Sequence, residues 1–414
     1  MRRLVVLGAG TAGTMVVNKL RRRLDRRQWS ITVVDQDDIH VYQPGLLFVP
    51  FGTYRPDEVK RARQTFVPDN VDLLIGVIDS VDTARSVVRL ADGREIGYDY
   101  LVIATGVAPR PDQTLGMLGP LWRRSIFDFY TLDGATALAS ALERFDHGRL
   151  VVHVTEMPIK CPVAPLEFAF LADASLRGRH LRDRADITYV TPLSGAFTKP
   201  VASARLGTML DERKIAVEAD FVVEQIDNDD PALVSYDARR VPFDLLVTVP
   251  LNMGAEFVAR SGLGDELNLV PVDKHTFLST AHANVFAIGD AANLPTSKAG
   301  SVAHFSVEVF ADNFCQYVDG QPMTCRFDGH ANCFVESGDG RGLLIDFNYD
   351  TEPLPGAYPV PVVGPFPLLR ESARNHWGKL AFRWMYWHLL LPGHPLPLPA
   401  HMSMAGKQMP TKEA

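Results

Sequence analysis

Leu4-Val5-Val6-Leu7 runs without a break into Gly8-Ala9-Gly10-Thr11-Ala12-Gly13, a strand that ends in a glycine loop and feeds a helix. Glycines at this spacing allow the tight turn, let a pyrophosphate reach bare backbone N–H groups at the helix N-terminus, and let helix pack close on strand. A second strand, Ile31-Thr32-Val33-Val34, ends in Asp35. That places a carboxylate about twenty residues beyond the last glycine, where the ribose hydroxyls of an adenine dinucleotide are gripped. The glycine motif alone is weak evidence; set between strand and helix, with the acid downstream, it specifies an α/β dinucleotide-binding unit. Val87-Val88-Arg89-Leu90 and Gly97-Tyr98-Asp99-Tyr100 flank a turn at Ala91-Asp92-Gly93 and predict a hairpin. It leads into Leu101-Val102-Ile103-Ala104-Thr105-Gly106.

A second βα unit starts after Arg124, and its strand Leu150-Val151-Val152-His153-Val154 is present. Where its glycine loop is due, the chain reads Thr155-Glu156-Met157-Pro158-Ile159-Lys160-Cys161-Pro162, with no glycine. Side chains at those turn positions keep a pyrophosphate from the backbone, so no second dinucleotide is expected there. Cys161 stands instead at a predicted helix start near Pro162, a residue that suits a first turn. Lys160 and that helix N-terminus would favour its thiolate; a buried, inert cysteine is the alternative. Glu167 lies among Leu166, Phe168, Phe170 and Leu171. Such neighbours would raise its pKa and let it exchange protons near neutral pH, unless it turns to solvent on the helix surface.

The chain then returns to the first unit through Ala287-Ile288-Gly289-Asp290, continues into Pro295-Thr296-Ser297-Lys298-Ala299-Gly300, and forms a helix to about Val318. The expected organisation is two Rossmann-like doubly wound domains, the second inserted in the first, plus a C-terminal membrane-associating segment. Its boundaries are 1–124 and 285–324 for the first domain, 125–284 for the second, and 325–414 for the C-terminal segment.

The 414 residues suit two or three domains, and 46% hydrophobic with 22% charged residues is ordinary for a globular chain. A net charge of −7 gives no footprint for nucleic acid. The cluster Arg21-Arg22-Arg23-Leu24-Asp25-Arg26-Arg27 reads as a solvated helix end or as attraction to an anionic membrane. Four cysteines without a CxxC pair argue against a metal site and for a redox role. The first strand begins at Leu4, which leaves no room for a secretory signal. The stretch from Trp377 to Leu391 is apolar nearly all round, interrupted by Lys379, Arg383 and His388. It is too short to span a bilayer and fits either an interfacial helix or a buried core helix.

Gly8, Gly10, Gly13, Asp35, Ala104-Thr105-Gly106 and Ile288-Gly289-Asp290, in this order, resemble the two-dinucleotide-domain flavoproteins. Within them, Lys160-Cys161, Asn332-Cys333-Phe334 and Gly378-Lys379-Leu380-Ala381-Phe382-Arg383-Trp384-Met385-Tyr386-Trp387 resemble the sulfide:quinone oxidoreductases over nearly the whole chain. The resemblance implies FAD held by Gly8, Gly10, Gly13, Asp35, Thr105, Gly106 and Asp290, with Lys298 directed at the flavin or quinone head group. It also implies a helix near Gly300 whose positive end faces the flavin ring. Cys161 and Cys333 would form the redox pair, Cys325 competing with Cys333 and Cys315 packing on a helix. Sulfide would attack one sulfur and leave a persulfide, and the released thiolate would pass its electrons to the flavin. Glu167 would serve as proton carrier, and Lys379 and Phe382 would meet the quinone. A third cysteine common in that family is absent from Ser125-Ile126-Phe127-Asp128-Phe129-Tyr130-Thr131, so the FAD is expected to be non-covalent. Histidines proposed as proton carriers in relatives also lack an evident counterpart.

The implied protein is a peripheral enzyme of the cytoplasmic membrane that takes sulfide and a membrane quinone, with homo-oligomers left open. A type II NADH:quinone dehydrogenase would share the fold but would need the missing glycine loop. A flavocytochrome sulfide dehydrogenase would be exported. A persulfide relay to a sulfur carrier would make the flavin incidental.

Overall fold

The computed structural model describes residues 1–359, 364–396 and 399–409. Two parallel five-stranded sheets carry the architecture. The first runs, in spatial order, Val285–Ala287, Tyr100–Ile103, Arg2–Leu7, Trp29–Asp35 and Asp72–Ile75. All its neighbours are parallel, with Leu4 opposite Ile31 on one side and Tyr100 on the other. The second runs Ile126–Phe127, Leu245–Val249, Gly148–Val154, Ala185–Val190 and Ala216–Glu218, again all parallel. The second sheet is formed wholly by chain lying between two strands of the first. Leu4, Val5, Val6 and Leu7 are all buried, as expected of a strand covered on both faces.

Gly8 takes φ +95°, a left-handed turn that a Cβ would strain, and releases the chain into the first helix, Thr11–Arg23. The helix Gly300–Val318 packs beside it, with the bounds the sequence suggests. The predicted hairpin is altered. Val87–Leu90 pairs with Glu95–Gly97, and Tyr100 does not belong to its second arm. Tyr100–Ile103 joins the first sheet instead, because the Asp99 N–H bonds Arg3 O and the Asp99 carboxylate takes the Arg3 guanidinium.

The C-terminal part builds no third doubly wound domain. Ala331–Gly338 and Arg341–Phe347 are antiparallel, and Phe366–Leu368 and Gly356–Tyr358 complete a mixed four-stranded sheet. The C-terminal helix, Ala373–Met385, lies against this sheet and passes into a wider π turn over Tyr386–Leu390. Its sequence reads apolar all round, but the structure divides it in two. Tyr386, Trp387, Leu390 and Leu391 are buried in the core, where Trp387 stacks on Phe66 with ring centroids 5.2 Å apart. Trp377 and Trp384 are 66% and 60% exposed. Among the described residues no helix is long and apolar enough to cross a membrane.

The division follows from side chains on the first helix. Asn18 donates to Leu391 O at 3.1 Å, Lys19 to Gly393 O at 3.4 Å, and Arg22 to Gly393 O and Pro392 O at 2.7 and 2.6 Å. These satisfy carbonyls that a helix end leaves without partners. Among the arginines of the basic cluster only Arg21 is buried, bonding Leu24 O and Trp29 O; Arg22, Arg23, Arg26 and Arg27 are exposed, and Arg23 pairs with Asp312.

Replacing Trp387 by alanine removes a buried, stacked indole and is expected to lower the unfolding free energy by about 3–5 kcal/mol. Trp384→Ala is expected to change it by no more than about 0.5 kcal/mol. Urea unfolding of both variants checks the division; equal effects would contradict it.

Candidate active site

The loop after the first strand opens on a cleft of about 700 Å³ lined by Gly8, Gly10, Asp35, Thr105, Gly106 and Asp290, among others. A Cβ on Gly10 would point into open space, whereas one on Gly13 would overlap Gly8 O. The first glycine thus keeps the approach to the helix bare, and the second permits close packing. No side chain caps the first helix, and no acid occupies its first turn. Its N–H groups remain available to an anion. Thr105 Oγ1 is buried without a partner. Size, bare amides and an orphan hydroxyl together fit a dinucleotide.

Asp35 is held at the far end by the Ala9 N–H at 2.6 Å. Burial pushes its carboxyl pKa up, against the pull of Arg63, whose Nη2 lies 3.2 Å away. Arg63 also donates to Ala9 O at 2.8 Å. Nothing in the sequence singles it out, because it sits on a short turn outside the glycine motif. His40 is likewise unsignalled. Its Nδ1 lies 3.2 Å from Ala9 O and its Nε2 2.7 Å from the Tyr386 hydroxyl, which also bonds Thr11 Oγ1 at 2.7 Å. The C-terminal segment is thereby tied to the glycine loop itself.

Thr11, Gly106, Tyr130, Lys160 and Asp290 are shared with a second cavity of about 160 Å³, so the two volumes adjoin. Cys161, Glu167, Lys298, Gly300 and Lys379 line it. Lys298 is buried and donates to Asp290 O at 2.7 Å and Ala292 O at 3.1 Å; burial lowers its pKa, opposed by Asp290. Burial raises the Asp290 carboxyl, with Lys298 and Lys160 opposing. Gly300 opens its helix with no side-chain cap. Phe382 does not line the cavity; it packs with Tyr42 and Tyr386 at ring separations of 6.4 and 6.3 Å.

Cys161 does not stand at a helix start. The following helix, Ala164–Gly178, begins three residues later, and Cys161 occupies a turn with φ +44°, unusual for a non-glycine residue. The turn is over-determined. The Cys161 N–H bonds Lys298 O at 2.6 Å, and its carbonyl accepts from Ala164 N at 2.8 Å and the Tyr130 hydroxyl at 3.2 Å. Backbone strain of this kind persists where surrounding bonds enforce it, often at functional sites.

Lys160 is not the cation of the thiol. Its ammonium reaches Gln43 Oε1 at 3.2 Å and lies 5.9 Å from the Tyr130 ring centre. The cation acting on Cys161 is Lys379, from the C-terminal helix. Nor is the thiol activated in this state. Burial pushes Cys161 up to about 12, with Glu167 adding to the rise and Lys379 opposing it. Cys161 is half-buried, whereas Cys333, on the strand Ala331–Gly338, is buried; burial first, then Cys161, raises the Cys333 pKa. All four cysteines stand as free thiols. Cys325 is held elsewhere, its backbone bonded to the Asn313 side chain at 3.0 and 2.8 Å.

Glu167 is fully buried, which excludes the solvent-facing alternative. Its Oε1 accepts from the Glu336 N–H at 2.6 Å and from Lys379, while Oε2 has no partner. Burial pushes its carboxyl up, opposed by Lys379. Lys379 in turn is held charged: burial works against its ammonium, but Glu167, with Cys161 and Glu336, raises its pKa overall. Lys379 also donates to Phe334 O at 3.0 Å. The cavity therefore brings Cys161, Glu167 and Lys379 together. Among the described residues no group of three or more potential metal ligands forms.

Residues 2–153 match the family described as "Pyridine nucleotide-disulphide oxidoreductase". The chain is 24% identical over 398 residues to the mitochondrial sulfide:quinone oxidoreductase of Mus musculus, spanning 94% of this chain and 86% of that protein. It is 26% identical over 380 residues to the mitochondrial sulfide:quinone oxidoreductase of Schizosaccharomyces pombe, spanning 85% and 82%. Its fold is similar to the X-ray structure of the sulfide:quinone oxidoreductase from the hyperthermophilic bacterium Aquifex aeolicus. The TM-score is 0.78 at 19% identity, covering 95% of this chain and 92% of that one.

Burial holds the His40 and His153 pKa values down to about 3 and that of His304 down to about 4, from an ordinary 6.5. Below pH 6.5 the unfolded chain takes up protons that the folded chain does not. Stability contributed by these rings is therefore complete above 6.5 and falls as pH drops toward 3. Urea midpoints measured between pH 7 and 4 are expected to decrease, and His153→Gln is expected to flatten the slope by one proton. An unchanged slope in that variant would refute the assignment.

Proposed function

We propose, from the chain's place in the sulfide:quinone oxidoreductase family within the pyridine nucleotide-disulphide oxidoreductases, at about 25% identity over most of its length, that it oxidises sulfide to sulfane sulfur or polysulfide and reduces a membrane quinone. The observation that carries this reading is the cavity in which Cys161 replaces the second glycine loop and stands beside Glu167 and Lys379.

FAD would be held by Gly8, Gly10, Gly13 and Asp35 at the adenosine and pyrophosphate end. Thr105, Gly106, Asp290, Lys298 and Gly300 would hold it nearer the sulfur cavity. When bound, it accepts an electron pair from sulfur and hands it to quinone. The absence of a cysteine from 125–131 argues for non-covalent attachment.

Cys161 and Cys333 would supply the exchange couple. In the oxidised protein they share a disulfide, and hydrosulfide attacks one sulfur to leave a persulfide and a released thiolate. A thiolate in so buried a place needs a compensating charge, and Lys379 provides it to Cys161. The unpartnered Oε2 of Glu167 faces the same need from the other side, as acceptor of the sulfur-bound proton. Lys379 and Phe382 remain the proposed quinone contacts. Two of the three Lys379 donors are already committed, to Glu167 and to Phe334 O, which leaves one for a quinone carbonyl.

Membrane association would rest on the exposed face of the C-terminal helix, where Trp377, Ala381, Trp384 and His388 recur at helical spacing. Indoles in such a position settle at headgroup depth, which supports a peripheral attachment. Tyr386, Trp387, Leu390 and Leu391 take no part in it, since they are core. Truncating the segment would therefore damage the fold, and surface substitution is the cleaner test. Trp377→Ala with Trp384→Ala is expected to lose binding to anionic vesicles in a flotation assay. The doubly substituted protein should retain full reduction of its flavin by sulfide. Unchanged flotation would return those indoles to an incidental role.

Anaerobic titration tests the reaction. Sulfide is expected to bleach the bound flavin, quinone to restore its colour, and NADH to do neither. Cys161→Ser and Cys333→Ser should each abolish bleaching by sulfide, by about 10²-fold or more, with FAD retained. Cys315→Ser should leave it intact. Bleaching by NADH but not by sulfide would replace this reading with a nicotinamide:quinone dehydrogenase. Sulfide reduction without quinone reoxidation would favour a persulfide relay.

A further inference from the structure

Three lysines and two carboxylates line the cavity of Cys161: Lys160, Lys298 and Lys379 against Glu167 and Asp290. Lys379 is taken by Glu167 in a buried ion pair. Lys298 gives its ammonium to Asp290 O and Ala292 O, and it is the cation that acts first on the Asp290 carboxyl. Lys160 is left over. Among the described residues no carboxylate lies within ion-pair distance of it, and its ammonium donates to the neutral Gln43 amide at 3.2 Å, one donor of three. Burial lowers its pKa, opposed by Asp290 and then by Asp128.

The position of this charge is fixed from both ends. The Lys160 N–H bonds Asn252 Oδ1 at 3.2 Å, and the residue forms a parallel bridge with Lys298. At the tip, the ammonium lies 5.9 Å from the centre of the Tyr130 ring, whose hydroxyl holds the Cys161 carbonyl. Gln43 opens the short turn Gln43–Leu47, so its contact with Lys160 spans 117 positions of the chain. Gln43, Tyr130 and Lys160 each line both the dinucleotide cleft and the Cys161 cavity. The half-buried ammonium therefore stands at the junction of the two volumes. A cation in such a place loses hydration, a cost that an opposite charge offsets.

We propose that Lys160 is the counter-charge of the flavin ring, favouring its reduced anion over its neutral oxidised form. The inference rests on the FAD-binding part of the reading above and needs nothing from its sulfur chemistry. A dinucleotide gripped by its adenosine ribose at Asp35 has its other end toward the junction that Lys160 shares with Thr11, Gly106 and Asp290. Two electrons and one proton convert the neutral ring into a monoanion. Asp290 and Glu167 would repel that added charge, and a fixed ammonium opposes them. The N-terminus of the helix Gly300–Val318 adds a partial charge of roughly half a unit, less than a whole cation supplies. Lys298 and Lys379 contribute less, because Asp290 and Glu167 already meet their charge. Neighbouring residues thus divide the work: the Cys161 backbone presents the thiol, and the Lys160 side chain sets how readily the ring accepts an electron pair.

The test is dye-equilibrated reduction of the full-length holoprotein, read by flavin absorbance at pH 7. Every sample carries Cys161→Ser, so that no thiol couple draws electrons. In Lys160→Met and Lys160→Gln the equilibrium constant for two-electron reduction is expected to fall at least about tenfold, a potential lower by about 30 mV. Lys160→Arg keeps the charge and is expected to hold the parent potential. A potential unmoved in the neutral variants, or one that falls as far in Lys160→Arg, overturns the proposal. So does loss of FAD from both neutral variants, which would make the lysine a binding residue for the cofactor in either redox state. With Cys161 restored, a raised KM for sulfide at an unmoved potential would assign the ammonium to hydrosulfide and overturn it too. A flavin that sulfide fails to reduce in the unaltered protein overturns the sulfide-oxidising reading alone, since the potentials are measured without sulfide.

Discussion

A buried ion pair, Glu167 with Lys379, organises the reactive half of this molecule. Transferring two charges from water costs several kcal/mol each, and their attraction offsets that only when the remaining donors and acceptors find partners. Here the Glu336 N–H bonds the carboxylate, and Phe334 O takes a second ammonium proton. Both compensating groups belong to the strand Ala331–Gly338, which also carries Cys333. The pair thus fastens three elements together: the cysteine helix Ala164–Gly178, that strand, and the C-terminal helix. Within the pair, Lys379 opposes the effect of burial on the Cys161 thiol while Glu167 adds to it.

The C-terminal segment reaches the nucleotide cleft by a second, independent tie. Tyr386 bridges Thr11, in the first turn of the first helix, and His40, which sits on Ala9 O. This helix and its π turn therefore touch the glycine loop at one end and the Cys161 cavity at the middle, and expose two indoles on the outer face. Nucleotide cleft, cysteine cavity and exposed indoles are linked through this helix and the π turn that follows it. This explains why segments remote in sequence line one cavity, and why Tyr386, Trp387 and Leu390 belong to the core.

Local patterns were the legible part of the sequence. The glycine loop with Asp35, the strand runs Leu4–Leu7, Ile31–Val34, Leu101–Ile103 and Leu150–Val154, and the helix from Gly300 to Val318 all follow from periodicity and turn chemistry within short windows. The short edge strands Asp72–Ile75, Ile126–Phe127 and Ala216–Glu218 do not. Cys161 was legible as an anomaly, a thiol where glycines were due. Its conformation was not, because the bonds that hold φ at +44° come from Lys298 and Tyr130, distant in the chain. The same limit explains Lys160. Adjacency made it the apparent partner of the thiol, but its side chain projects to Gln43, and the acting cation comes from 218 positions onward at Lys379. Arg63 and His40 gave no signal for that reason. The apolar C-terminal run was ambiguous on composition, and polar side chains of the first helix decided which half is core.

The central claim is that Glu167 and Lys379 act as one coupled unit, and a double-mutant cycle tests it most directly. Unfolding free energies of Glu167→Gln, Lys379→Met and the double variant give the interaction term. Removing either partner alone leaves a buried group uncompensated and is expected to cost about 3–5 kcal/mol. The double variant should cost clearly less than the sum, with a coupling of at least about 2 kcal/mol. Strictly additive losses would mean that the two side chains are independent, and the account of the sulfur site would fail with them.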